Sequence, residues 1–222
     1  MRAVGLEVAG TGAVITLADG TRQEAAGVVL AGGGTCSAAL LDGVAPAAAA
    51  ALRAIPHGST ATVHLGFRAD DFDEPLVGHG YLEAGPEPAP ITGITLASNK
   101  WPGRAPEGTV LIRAFVPSRV GAASLLPDDA LLDTVSAYVS QVLGARSAPF
   151  LRHLVRWQDA MPTYTVGHLD RVRAVAEALA GTPQVRIAGS ALHGVGVPDC
   201  LADGRKVGGE LGALLADRPT TH

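Results

Sequence analysis

The stretch from Gln184 to Gly204, QVRIAGSALHGVGVPDCLADG, limits what this chain can fold into more than any other. QVRIAG reads as a short strand, and CLADGRKVGGELGALLA behind it reads as a final helix. Between them Gly194 and Gly196 let the backbone come close to a ligand, and Pro198 fixes the turn. A helix that starts near Cys200 aims its free N–H groups and the positive end of its dipole at the same place. Strand, glycine loop and helix in that order belong to an α/β architecture. Two readings of the loop stand at this level: a cradle for an anion or an electron-rich heterocycle, or an ordinary turn.

The rest of the chain is organised around that unit. At the head, AVITLADGTRQEAAGVVLAGGGT reads as a strand, an Asp19-Gly20 turn and a strand from Gly27 to Ala31 that ends in three glycines. Val28, Val29, Leu30 and Ala31 are apolar on both faces, the pattern of a strand covered from both sides. MRAV precedes this with no cap, turn or linker, as though the chain joined a strand midway. AGGGTCS is a partial nucleotide turn, but Ser37 stands where the third glycine or alanine is needed for close helix packing, and a tight strand exit is the simpler reading. In the middle, STATVHLGFRA, ITGITLASN, GTVLIRAFVP and FLRHLVRW read as strands. In the first of these, Thr60, Thr62 and His64 share one side, and Ala61, Val63 and Leu65 the other.

Three further helices or helix faces are legible. An alanine-rich helix spans Ala45 to Ile55 and stops at Pro56. LPDDALLDTVSAYVSQVLG has Asp128 as N-cap, an apolar stripe of Leu131, Leu132, Val135, Val139 and Val142, and Gly144 as its stop. VGHLDRVRAVAEALAG places Leu169, Val172, Val175 and Leu179 on one face.

Composition removes several functional classes. At 47% apolar and 17% charged residues the chain is a folded globular sequence and not a disordered one. A net charge of −4 with no Lys/Arg block argues against a nucleic-acid partner. The longest apolar run, Val44 to Leu52, is too short to span a bilayer and contains Pro46, while loose surface association with a membrane stays open. Cys36 and Cys200 are too few for a disulfide framework, so a reducing, cytoplasmic compartment is the default. The seven histidines form no set with metal spacing, and His64 reads as a half-buried structural residue. Ser190 in AGSALHG lacks the G-x-S-x-G elbow of an acyl-transfer nucleophile.

GHGYL, SNKWPGRAPEGTVLIRAF, VRWQDAMPTYTVGHLDRV and AGSALHGVGVPDCLADG, in this order and spacing, resemble the oxygen-dependent protoporphyrinogen and coproporphyrinogen oxidases, within the flavin amine oxidase group. The resemblance covers the whole chain but only the C-terminal half of that family, without its N-terminal G-x-G-x-x-G turn for the ADP part of FAD. It implies a fragment, the second half of a split gene, or a late-started reading frame, completed by a missing N-terminal half or by a second copy. It implies a mixed α/β, two-lobed FAD oxidase fold: residues 1–45 and 182–222 in an incomplete FAD lobe, and residues 46–181 in a strand-rich substrate lobe.

By the same resemblance, Gly194, Val195, Gly196 and Val197 lie against the flavin ring and Trp157 contacts it. Leu82, Leu96 and Phe115 line the tetrapyrrole pocket, where a flat macrocycle needs apolar walls. The implied reaction removes six electrons from a porphyrinogen, with oxygen reoxidising the flavin to give hydrogen peroxide. No general base is nominated. Glu83, Thr163, Pro117 with Ser118, and the Gly32–Gly34 run depart from the family pattern near the expected site. Two alternatives remain: a non-catalytic remnant without flavin, or another flavin amine oxidase of the polyamine or carotenoid type.

Overall fold

A computed structural model describes residues 1–84, 89–117 and 125–217. The chain divides into two compact units, Met1–His57 with Met161–His222, and Gly58–Ala160. These boundaries fall at 57 and 160, where the sequence suggested 45 and 181, because two helices expected in the substrate lobe pack into the first unit.

In the first unit, β1 (Ala3–Ala9), β2 (Gly12–Leu17) and β3 (Arg22–Ala25) form an antiparallel meander. The Asp19-Gly20 turn closes its second hairpin: Gly20 adopts φ +84°, and the Asp19 carboxylate accepts the Thr21 N–H at 2.9 Å. The meander is followed by β4 (Val28–Leu30), α1 (Gly34–Leu41) and α2 (Pro46–Arg53). The tail of the chain returns as α5 (His168–Ala178), β10 (Val185–Ile187) and α6 (Val197–Ala216). β10 pairs with β4 in parallel, Arg186 opposite Val29. The small residues Ala48 and Ala49 with Leu52 make the buried side of α2, and this lets α1 and α5 pack closely against it.

Three details differ from the sequence reading. The glycine run after β4 leads straight into α1, with Gly33 at φ +86° as its entry, so it is a strand-turn-helix and not a bare exit turn. α6 begins at Val197 rather than Cys200, since Pro198 fits the first helical turn, where a missing N–H costs nothing. In α5 the buried face runs His168, Val172, Val175, Leu179, a clean 4-3-4 spacing, which leaves Leu169 exposed one residue off the stripe.

The second unit is a five-stranded sheet in the order β6 (Gly80–Leu82), β7 (Gly93–Leu96), β8 (Thr109–Pro117), β5 (His57–Arg68) and β9 (Leu151–Pro162). A short α3 (Ala97–Lys100) links β7 to β8, and α4 (Asp128–Leu143) covers one sheet face. Alternation divides each strand between the two faces. Ala61, Val63, Leu65 and Phe67 of β5, Ile94 and Leu96 of β7, and Ile112, Ala114 and Val116 of β8 turn toward Leu131, Val135 and Val139 of α4. Each large side chain buried this way contributes about 1.5–3 kcal/mol. Pro127, not Asp128, holds the N-cap position of α4; Asp128 is its first residue and pairs with Arg156 Nε of β9 at 2.8 Å. At the last turn Leu143, not Val142, continues the stripe against the core, and Val142 is exposed before the left-handed Gly144.

β4 is an edge. Val28 and Leu30 are buried, but Val29 is 38% exposed, so the strand is not covered on both faces as its sequence suggested. Alternation turns the Val29 N–H and C=O away from β10, and no described strand meets them. Val29 borders an apolar cleft of ≈620 Å³ that it shares with Val4, Leu6, Ile15 and Leu40. Hydrogen exchange reads this arrangement directly. The Val28 amide, bonded to the Gln184 carbonyl at 2.8 Å, is expected to be protected, and the Val29 amide to exchange orders of magnitude faster. Equal protection of both would show that the β4 edge is covered.

Candidate functional site

Beyond the Ala188 N–H, which donates to the Leu30 carbonyl at 3.1 Å, the loop to Gly196 has no ladder to satisfy its backbone, and side chains of the first unit do so instead. Asp203, four and eight residues ahead of Val207 and Leu211 on the buried face of α6, is only 6% exposed. Its Oδ2 accepts the Gly189 N–H at 2.9 Å, and its Oδ1 lies 2.8 Å from His193 Nδ1, which donates to it. Tyr164 works from the other side. Its hydroxyl accepts the Gly194 N–H at 2.9 Å and donates to the Ser190 carbonyl at 2.5 Å. Burial and the negative charges nearby raise the pKa of that phenol, so it stays protonated and able to donate. The Tyr164 ring stacks on His168 at 3.8 Å, and His168 Nε2–H donates to the Leu192 carbonyl at 2.9 Å. The loop is therefore fixed at Gly189, Ser190, Leu192, His193 and Gly194 before any ligand arrives.

Glycine is required where the loop meets α6. Gly194 sits at φ +151°, and a Cβ there would lie 2.5 Å from Asp199 Cβ. At Gly196 it would lie 2.8 Å from Asp199 Oδ2. The Asp199 carboxylate thus folds back over the loop at the positive end of α6 and supplies the anion that this end favours. No Lys or Arg occurs between Ala188 and Asp199. What the loop offers outward is Val195 and Val197, both exposed. Such a site fits the edge or face of a flat apolar ring. With the Asp199 carboxylate already at the helix N-terminus, it is less suited to a second anion.

The other expected site residues belong to the second unit. Leu82, Gly93, Phe115 and Thr62 are directly paired across β6, β7, β8 and β5, so their side chains share the sheet face opposite α4. Trp157 joins them from β9, its Nε1–H donating to Thr62 Oγ1 at 3.4 Å. Leu82 is 83% exposed and Trp157 50%, with Phe115 half-buried between them. Leu96 does not join this row. It is 4% exposed on the α4 side, because β7 turns its even-numbered residues inward. The structure brings Leu82, Phe115 and Trp157 onto one open face and places Leu96 in the core.

The departures noted in the sequence are accommodated locally. Glu83 turns away from Leu82 and accepts the Tyr138 hydroxyl of α4 at 2.8 Å. Thr163 donates its N–H to the Pro56 carbonyl at 2.7 Å. Pro117 ends β8 opposite Thr60, and Ser118 lies outside the described residues. Sequence reasoning missed Tyr164, His168 and Asp203. Two of them had a signal: His168 and Asp203 each occupy a helix stripe otherwise apolar, where a polar residue must have a buried partner. Among the described residues no group of His, Cys, Asp and Glu could hold a metal, and no helix is long and apolar enough to cross a membrane.

A parallel strand-loop-helix with a pre-set glycine loop, and an antiparallel sheet that bears large apolar side chains on its open face, define a two-unit α/β fold. Residues 2–210 match the family described as flavin containing amine oxidoreductase, and the chain belongs to that family. It is 45% identical over 208 residues to the coproporphyrinogen III oxidase of Propionibacterium freudenreichii subsp. freudenreichii, covering 93% of this chain and 39% of that protein. The coproporphyrinogen III oxidase of Mycobacterium tuberculosis (strain ATCC 25618 / H37Rv) is 37% identical over 201 residues, 89% of this chain and 43% of the relative. A crystal structure from Exiguobacterium sp. 255-15 superposes with a TM-score of 0.77 at 28% identity, over 97% of this chain and 46% of the other. A putrescine oxidase redesigned for cofactor binding shares the fold, with a TM-score of 0.74 at 15% identity, over 96% of this chain and 48% of the other. The chain thus spans less than half the length of each of these proteins.

The clamp on the loop is open to test. Asp203→Ala leaves the half-buried Gly189 N–H and the His193 ring without their acceptor, and is expected to lower the unfolding free energy by about 1–3 kcal/mol. Asp203→Asn, which keeps an acceptor oxygen, should cost less than half of that. Urea denaturation measures both, and an Asp203→Ala variant as stable as the parent would refute the clamp.

Proposed function

We propose that this chain carries the ring-holding and substrate-holding parts of an FAD-dependent oxidase that converts a porphyrinogen to its porphyrin, with oxygen as acceptor, in heme biosynthesis. The observation that carries the reading is the open row of Leu82, Phe115 and Trp157, three large apolar side chains set across the sheet with Gly93 and Thr62 between them. From β6 to β9 it crosses four inter-strand steps of ~4.8 Å, roughly 19 Å. That breadth suits a flat macrocycle rather than a short aliphatic amine. The relatives' activities, coproporphyrinogen III oxidase and, at 29% identity, the protoporphyrinogen oxidase of Bos taurus, point the same way.

In this reading Gly194, Val195, Gly196 and Val197 seat the flavin ring, with the backbone pinned by Tyr164 and Asp203 so that no ordering cost falls on binding. When bound, the flavin supplies the redox chemistry. The protein's own part is positional. Val195 and Val197 keep water from one side of the ring, and the sheet row holds the substrate by apolar contact. No side chain is assigned as general base. With Asp199 already at the N-terminus of α6, the diphosphate falls to the part of the family fold that this chain does not span.

Co-expression of the chain with the portion of the Propionibacterium relative that it leaves uncovered is expected to give a complex that retains FAD through desalting and consumes oxygen with coproporphyrinogen III. Flavin retention with no porphyrinogen oxidation would contradict the substrate reading. Oxidation of putrescine in its place would move the chain to the amine-oxidising branch.

A further inference from the structure

One row along from the apolar strip, the same open face carries a cluster of basic groups. Thr95, Arg113 and His64 are directly paired across β7, β8 and β5, and the His153 ring of β9 lies 6.2 Å from that of His64. On β9 the even-numbered Arg152, Leu154 and Arg156 turn toward α4, two of them pairing with Asp133 and Asp128, so His153 and Trp157 face the other way. Arg113 precedes Phe115 by two residues and shares its face, about 7 Å along the strand.

Among the described residues no acidic side chain pairs with the cluster. The ion pairs of the described residues do not include Arg113, and its buried Nε has no hydrogen-bond partner. Among the described residues, Glu83 at the end of β6 is engaged by Tyr138, and Asp159 on β9 by Ser59. Burial, then the Arg113 charge, then His153 push the His64 pKa below its ordinary value, as expected of a cationic patch without a counter-ion. A half-buried arginine without an acidic partner pays desolvation and receives nothing back within the fold. A ligand anion would supply the return.

We propose that Arg113, with His64 and His153 beside it, is a carboxylate-binding site that takes a propionate of a tetrapyrrole lying on the Leu82–Phe115–Trp157 strip. The assignment rests on the porphyrinogen reading above and adds its polar end: apolar ring on one row, acidic side chain on the next. Guanidinium matches carboxylate with two parallel N–H donors, which fixes the rotation of the ring on the strip as well as holding it. The site favours substrates with more acidic side chains, and coproporphyrinogen, with four propionates, offers more ways to meet it than protoporphyrinogen with two.

The probes are coproporphyrin III and its tetramethyl ester, titrated into the intact 222-residue chain and followed by visible absorbance. The parent is expected to prefer the tetra-acid, and R113M to lose about 10- to 100-fold of that affinity while its binding of the ester stays unchanged. R113K, which keeps the charge but not the fork, should fall between them and serves if R113M does not fold. In NMR titrations, bound coproporphyrin should raise the His64 midpoint of the parent, and R113M should raise it with no ligand present. Tetra-acid binding equal in parent, R113M and R113K would overturn the Arg113 site and leave the strip intact. Binding of neither porphyrin by the parent would overturn the strip, and the site with it.

Discussion

The tail loop depends on one buried carboxylate. Asp203 is held in the interior of the first unit by its place on the inner stripe of α6, and there it has two obligations to meet. A buried carboxylate with no donor is costly, and an irregular loop with no acceptor is costly too. Each solves the other's problem. The Gly189 N–H and the His193 ring satisfy Asp203, and the loop leaves β10 at an angle set by α6. With Tyr164 and His168 bracing the opposite side, Val195 and Val197 are presented outward on a backbone that has few other conformations. The exposed valines are therefore not a packing defect. In the function proposed above, they are the surface that meets the ring.

The second unit solves a different problem with the same economy. One face of its sheet carries small and branched residues that close on α4, and this core needs nothing further. The other face bears an exposed leucine, a half-exposed tryptophan, a phenylalanine and an unpaired arginine in adjacent rows. A sheet that kept only one face busy would carry polar residues on the other. An apolar row beside a cationic row is the pattern of a ligand surface, and it matches an amphipathic flat molecule with acidic arms.

Much of this was legible in the residues. The Asp19-Gly20 hairpin, the α2 and α4 helices, the alternation of β5 and the Gly194–Gly196 loop all follow from local chemistry, and they stand where periodicity puts them. What escaped was decided by tertiary partners. Val29 reads as buried because its strand is uniformly apolar, yet burial depends on a neighbour that the strand lacks. Leu96 resembled a pocket residue by its motif, but a single step of strand parity sends it to the core. Tyr164 sits in irregular chain with no pattern around it, and its two hydrogen bonds join positions 26 and 30 residues away. Arg113 looked like one charge in an apolar strand. Only the register of three strands shows that His64 stands opposite it and that no acid does.

The central claim is that this chain holds the ring of a flavin and not its phosphates. Amide chemical shifts of the labelled protein, recorded with riboflavin and separately with ADP, test it most directly. The account predicts that riboflavin moves the Gly194, Val195, Gly196 and Val197 amides while ADP leaves them in place. Shifts of those amides with ADP alone would mean that the loop is a phosphate cradle after all, and the division of the cofactor site argued from Asp199 and the exposed valines would be wrong.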